Sequence, residues 1–151
     1  MNYWLFKTEP AECSIDDFAA APTQAIVWEG VRNYQARNFL RDDVALGDQV
    51  LIYHSSCKQI GVAGIAEVVR AAYPDPSQFN PQSPYFDAKA SREQPRWIAV
   101  DLCFVKKLPL LITLDKIKSS AKMAELPLVQ KGSRLSVMPV TAQQWQDLLN
   151  L

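Results

Sequence analysis

The chain has 151 residues, 48% hydrophobic and 21% charged, with 16 Lys and Arg balancing 16 Asp and Glu. That composition excludes a disordered chain, and the length suits one domain spanning residues 1–151 around one core. Zero net charge excludes a uniformly basic coat, so any contact with nucleic acid has to rest on a local cationic patch.

Tyr3-Trp4-Leu5-Phe6-Lys7 is aromatic and apolar and reads as a first strand, stopped near Glu9-Pro10. Ser14 then opens a short helix as its N-cap, with Asp16 and Asp17 favoured in the first turn by the helix dipole. Gln24–Trp28 suggests a short strand closed by Gly30. From Arg32 to Asp43 the apolar residues Ala36, Phe39 and Leu40 recur at helical spacing, which puts Asn33, Arg37 and Arg41 on one stripe. Gln49–His54 reads as a buried strand, and Ile60–Val69 as its hairpin partner, bent at Gly61 and Gly64.

Tyr73–Pro95 carries Pro74, Pro76, Pro81, Pro84 and Pro95 and predicts a long loop, too aromatic to be a flexible linker. Trp97–Val105 is a long strand expected to finish at Lys106-Lys107. A short helix follows Thr113, then a strand over Leu135–Met138. A capping box of Thr141 and Gln144 starts the last helix before Trp145, Leu148 and Leu149. Strands outnumber helices and no regular β-α alternation exists, which excludes a doubly wound sheet.

Three scattered cysteines (Cys13, Cys57, Cys103) and one histidine, His54, offer no four-ligand metal site, and no cofactor is expected. Sparse cysteines suit a reducing compartment. Met1-Asn2-Tyr3-Trp4 lacks a cationic leader, and the apolar stretch Leu108–Leu114 is too short to span a bilayer. A cytoplasmic protein with no membrane partner is the expectation.

Chemistry concentrates in Trp28-Glu29-Gly30-Val31-Arg32-Asn33-Tyr34-Gln35-Ala36-Arg37. An aromatic ends a strand, a glycine turns the chain, and a helix start supplies free N–H groups beside Arg32, Asn33 and Arg37. Trp28 offers a π-face for stacking a base, and Asn33 can both donate to and accept from a base edge. The plain alternative is a core tryptophan with solvated arginines. Tyr53-His54-Ser55-Ser56-Cys57 forms a polar hairpin tip in which His54 and Cys57 are the only nucleophile-base pair available. Lys131 and Arg134, in a glycine-containing loop, suit a phosphate.

Five segments together resemble the signature of the EVE domain: Tyr3–Pro10, Trp28–Leu40, Tyr53–Cys57, Gly61–Gly64 and Arg134–Val137. The specific part is Trp-x-Gly-Val-Arg-Asn-Tyr-Gln-Ala-Arg. The resemblance implies an α+β, PUA-like fold, a small curved mixed β-barrel with short flanking helices, related to the YTH readers of methylated RNA. It further implies a non-catalytic module that holds one extruded, modified base, a cytosine or adenine of DNA or RNA, in an aromatic-lined pocket. On that resemblance Trp28 is the pocket aromatic, His54 and Ser55 the adjoining wall, Arg32, Asn33 and Arg37 the opening, and Lys7 the floor or rim. Extruding a base costs a few kcal/mol, and burying a methyl group offsets about 0.8 kcal/mol of it. Replacing Trp28 by Ala is then expected to remove base-specific affinity and leave the fold intact.

Two other functions compete. An amidohydrolase of the related ASCH group would use Lys7, Thr8 and Glu9, but three contiguous residues of a regular strand cannot all face one pocket. A protein-interaction adaptor would use Phe79, Tyr85 and Phe86 of the proline-rich loop as an exposed apolar patch.

Overall fold

In the computed structural model, which describes residues 1–151, the chain runs β1 (Tyr3–Thr8), α1 (Ile15–Ala20), β2 (Ile26–Trp28), α2 (Tyr34–Asp42), β3 (Gln49–His54), β4 (Gly61–Pro74), β5 (Ile98–Thr113), α3 (Leu114–Ser119), β6 (Val137–Val140) and α4 (Ala142–Leu149). Short 3₁₀ turns occupy Pro76–Phe79, Ala121–Met123 and Pro127–Val129. The six strands make one mixed sheet in the order β2-β5-β4-β3-β1-β6. β1 and β3 pair in parallel, Leu5 beside Leu51 and Phe6 beside Ile52, and all four residues are fully buried. Covering on both faces explains why these two strands read as apolar runs without alternation.

The sheet curls. β2 and β1 are separated in it by β5, β4 and β3, yet the rings of Trp28 on β2 and Phe6 on β1 lie 5.5 Å apart. Four register shifts between β4 and β5 supply the bend, since each bulge turns the strand and adds twist. The curl stops short of closure: β2 and β6 remain edges, so the expected barrel is an open one.

β5 differs most from expectation. It continues past Lys106-Lys107 to Thr113, through Pro109. The register explains how. Lys107 pairs with Gly64 and Ile112 with Val62, leaving residues 108–111 opposite Ala63 alone. Pro109 therefore sits in a bulge, where its missing N–H is not needed.

Glycine at 64 brings helix and sheet together. A Cβ there would lie 2.4 Å from the Ile15 side chain and 2.6 Å from the Lys106 carbonyl, so α1 approaches β4 over a bare backbone. Phe18 of α1 stacks on Trp28 at 6.4 Å, inside a contiguous core of 31 buried residues. At the start of the sheet, buried Asp48 accepts the Trp4 indole N–H and the backbone N–H groups of Asn2 and Ala45, each at 2.9 Å. A buried carboxylate with three donors is satisfied, which is the condition for keeping it inside.

The proline-rich segment is a packed loop with a closed neck. Gln78, fully buried, donates to the carbonyls of Asp75 and Trp97 at 2.8 Å. Its side-chain oxygen accepts from the N–H groups of Arg96 and Trp97 at 2.9 Å. One amide thereby joins the two ends of the loop across the chain interval between them.

Candidate nucleic-acid interface

A cavity of about 870 Å³ opens between the end of β1 and β2. One side comes from the end of β1 and the turn beyond it: Lys7, Thr8, Glu9, Glu12, Cys13 and, on α1, Asp17. The other side is β2 and its continuation, Ile26 through Val31. Ser55, Ser136 and Ser83-Pro84-Tyr85 of the proline-rich loop complete it.

Two aromatics line the cavity in different ways. Trp28 is only 6% exposed, because its ring packs on Phe6 and Phe18. It packs in the core and also lines the cavity. Tyr85 lies on the turn after β2, its ring 2.7 Å from where a Cβ of Gly30 would stand. Gly30 has φ +86, which together with that close approach makes glycine necessary there. The Tyr85 hydroxyl donates to both oxygens of Glu12, at 2.7 and 2.8 Å, tying the proline-rich loop to the β1–α1 turn. Burial and that bond push its phenol up to about 12.

Arg32 holds this wall in place. It donates to Asp75 at 3.0 Å, to the Tyr85 carbonyl at 2.6 Å and to the Ser77 hydroxyl at 3.1 Å. Its guanidinium also lies 5.5 Å from the Tyr85 ring and 5.2 Å from the Trp97 ring. Trp97 stacks on Tyr34, and Arg37 covers Tyr34 at 4.8 Å while donating to the Arg96 carbonyl. Arg32 and Arg37 are therefore spent on internal contacts and do not border the cavity opening.

Of the residues read from the sequence, Lys7, Trp28 and Ser55 meet in the cavity. Asn33 does not. It caps α2, its side chain accepting from the Ala36 N–H at 2.9 Å. Asn33 lines a second, smaller cavity of about 390 Å³ with Arg134, Gln35, Gln130 and Ser133. The two cavities adjoin along the chain: Val31 and Ser136 belong to the first, Asn33, Arg134 and Leu135 to the second. Lys131 is exposed at the loop beside the second cavity. His54 turns away, its Nε2 accepting from the Ile15 N–H at 3.1 Å, and burial lowers its pKa.

Glu12, Asp17 and Glu29 were not anticipated as site residues, and Tyr85 was anticipated only as part of an adaptor patch. The aromatic content of the proline-rich segment was the available signal for Tyr85, since so apolar a loop has to pack on something. Of the three aromatics proposed as an adaptor patch, Tyr85 is engaged as described and Phe79 is covered by Arg92 at 4.9 Å. Phe86 alone is well exposed, at 42%. Lys7, Thr8 and Glu9 all line the cavity, because β1 ends at Thr8 and the chain turns there.

Other groups limit the chemistry. The Thr8 hydroxyl is committed to the Cys13 carbonyl at 2.9 Å. Burial, with Asp17 and Glu12 nearby, pushes the Cys13 thiol up to about 11, far from a reactive thiolate. Burial lowers Lys7, and it raises Glu29 with help from Asp75 against the opposing effect of Arg32. No group of three His, Cys, Asp or Glu residues is placed to hold a metal ion, and no helix is long and apolar enough to cross a membrane.

An open six-stranded sheet, four short helices and a cavity in the seam define a PUA-like protein. The chain belongs to the EVE domain family, whose model matches residues 2–151. It is 39% identical to mouse thymocyte nuclear protein 1 over 99% of this chain and 73% of that protein. A crystal structure of a Pseudomonas putida protein matches with 53% identity and a TM-score of 0.94, covering 98% of this chain and 97% of that one. The human THYN1 protein in complex with 5-methylcytosine-containing DNA matches with 36% identity and a TM-score of 0.92, covering 99% and 96%.

Proposed function

We propose that this protein binds DNA through one modified base, held in the cavity between β1 and β2, and performs no chemistry on it. The observation that carries the reading is the cavity itself, floored by Trp28, walled by Tyr85 and equipped with Lys7 and Glu29. A relative of the same fold has been crystallised with 5-methylcytosine DNA, which supports a methylated cytosine as the ligand. Aromatic faces and a few hydrogen bonds offset the few kcal/mol needed to extrude the base. Lys131 and Arg134 supply the phosphate contacts that Arg32 and Arg37 cannot. The cytoplasmic placement belongs to the same proposal and rests on three free thiols, the state a reducing compartment maintains.

The test compares oligonucleotides with and without one 5-methylcytosine, as single and double strands of DNA and as RNA, at fixed salt. A preference for the methylated DNA is expected, while equal affinity across the set would overturn the reading. A hydrolase is the second reading, favoured by the convergence of Lys7, Thr8 and Glu9 on the cavity. Product formed from an N4-acylated cytidine, and lost in Lys7→Ala, would establish it.

A further inference from the structure

We propose that Glu29, opposite Lys7, makes the cavity selective for a 4-amino pyrimidine over the 4-oxo pyrimidine of the same shape. This rests on the base-binding reading and names the ligand class within it. 5-Methylcytosine and thymine carry the same methyl group on nearly the same ring, so aromatic walls and methyl burial cannot separate them. DNA holds thymine in large excess. A reader of methylated cytosine therefore needs a polar group at the ring position where the two differ.

The internal bonding of the cavity shows which groups are free to do this. Glu12 is taken by the Tyr85 hydroxyl. Asp17 accepts the Ser14 N–H at 2.8 Å as half of the capping box of α1. Thr8 donates to the Cys13 carbonyl, and the Ser83 hydroxyl accepts from the Tyr85 N–H at 3.1 Å. Glu29 and Glu9 make no side-chain hydrogen bond or ion pair, nor does the Lys7 ammonium, which lies 6.0 Å from the centre of the Tyr53 ring. Of the two, Glu29 adjoins the aromatic walls, since it follows Trp28 in the chain and precedes Gly30, over which the Tyr85 ring lies.

Its electrostatic surroundings give it a need. Burial and then Asp75 raise the Glu29 carboxyl, and Arg32, which opposes them, is committed to Asp75 at 3.0 Å. A carboxylate so placed is stabilised by a ligand N–H. The exocyclic amino group of cytosine is such a donor, and carboxylates pair with it. The O2 of either pyrimidine is an acceptor suited to the Lys7 ammonium. In a 4-oxo ring, O4 would face the Glu29 carboxylate, acceptor against acceptor, leaving both without a partner. Lys7 thus serves affinity for both bases, and Glu29 serves the choice between them.

The experiment measures binding of the full chain to labelled single-stranded DNA differing at one position: 5-methylcytosine, unmodified cytosine or thymine. The native protein is expected to favour 5-methylcytosine by about 10- to 100-fold, the discrimination of one well-placed base contact. Glu29→Gln can turn its amide to donate to O4, so the ratio should fall towards one, with thymine binding rising. Lys7→Met should weaken both by a similar factor and keep the ratio. Glu29→Ala, with melting curves for each variant, separates lost selectivity from lost folding. An unchanged ratio in both Glu29 variants, with methylated DNA still bound, overturns this inference and leaves the base-binding reading standing. Failure of the native protein to distinguish 5-methylcytosine from unmodified cytosine and thymine alike overturns both.

Discussion

The Arg32 guanidinium lies 3.0 Å from the Asp75 carboxylate, and Asp75 is completely buried. Asp75 also accepts the N–H groups of Gly30 at 2.9 Å and Ser77 at 2.7 Å, so this pair joins the β2–α2 turn to the base of the proline-rich loop. Replacing Arg32 by Ala leaves a buried charge without its counter-ion. A loss of about 3–5 kcal/mol in unfolding free energy is expected by urea denaturation. Arg32→Lys keeps the charge but not the fork that reaches Tyr85 and Ser77, and should fall between the two. A change below 1 kcal/mol in Arg32→Ala would show that Asp75 is satisfied by its backbone donors alone.

Trp28 and Tyr85 should separate stability from binding. Because Trp28 packs on Phe6 and Phe18, Trp28→Ala is expected to destabilise the fold by about 3–5 kcal/mol. The expectation that this change spares the fold is therefore withdrawn. Tyr85→Ala leaves the buried core intact and removes a cavity wall. It should weaken binding of methylated DNA by about 1–3 kcal/mol, the worth of one stacking face. Native affinity in Tyr85→Ala would place the base elsewhere.

Lys131 and Arg134 are expected to act on the backbone of DNA rather than on its sequence. Each substitution to Ala should lower affinity equally for methylated and unmethylated strands. Each should also reduce the slope of log K against log salt by about one. A change in methyl preference without a change in slope would move these residues from phosphate contact to base readout.

The His54 bond to the Ile15 N–H predicts a pH dependence of stability. Nε2 accepts that N–H only while the ring is neutral. Burial, reinforced by Lys107 and opposed by Asp16, holds the folded pKa below the ordinary value of about 6.5. The unfolded chain therefore takes up the proton first. Stability is intact above the unfolded pKa and is lost as pH falls through about 6.5 towards the folded value. His54→Gln should flatten the urea midpoint across this window. Parallel pH profiles for the two proteins would exclude the histidine as its cause.

Much of this architecture could be read in advance, and the failures share a cause. Gln49–His54 was legible to the residue, and so was the capping box of Thr141 and Gln144, because apolar runs and caps are local signals. The end of β5 was not, since Lys106, Lys107 and Pro109 look like a stop unless the bulge opposite Ala63 is known. Lys7, Trp28 and Ser55, far apart in the chain, line one cavity. Arg32 and Arg37 looked equally available, and only their partners Asp75, Tyr85 and Arg96, far off in the chain, reveal that they are occupied. Tyr85 was hidden for the same reason.

The neck closed by Gln78 has a consequence for how this family diversifies. With the two ends of the loop fixed by four hydrogen bonds to one buried amide, length added away from the Tyr85 contacts costs loop-closure entropy, about 0.6 kcal/mol for each doubling. Beyond the neck, the ties to the rest of the molecule that constrain sequence change are those of Tyr85, to Glu12 and Arg32, and of Asp87, to Trp97. Evolution can therefore rewrite the wall that touches a ligand as an exchangeable cassette, and a protein engineer can graft new tips between Gln78 and Arg96 on the same scaffold.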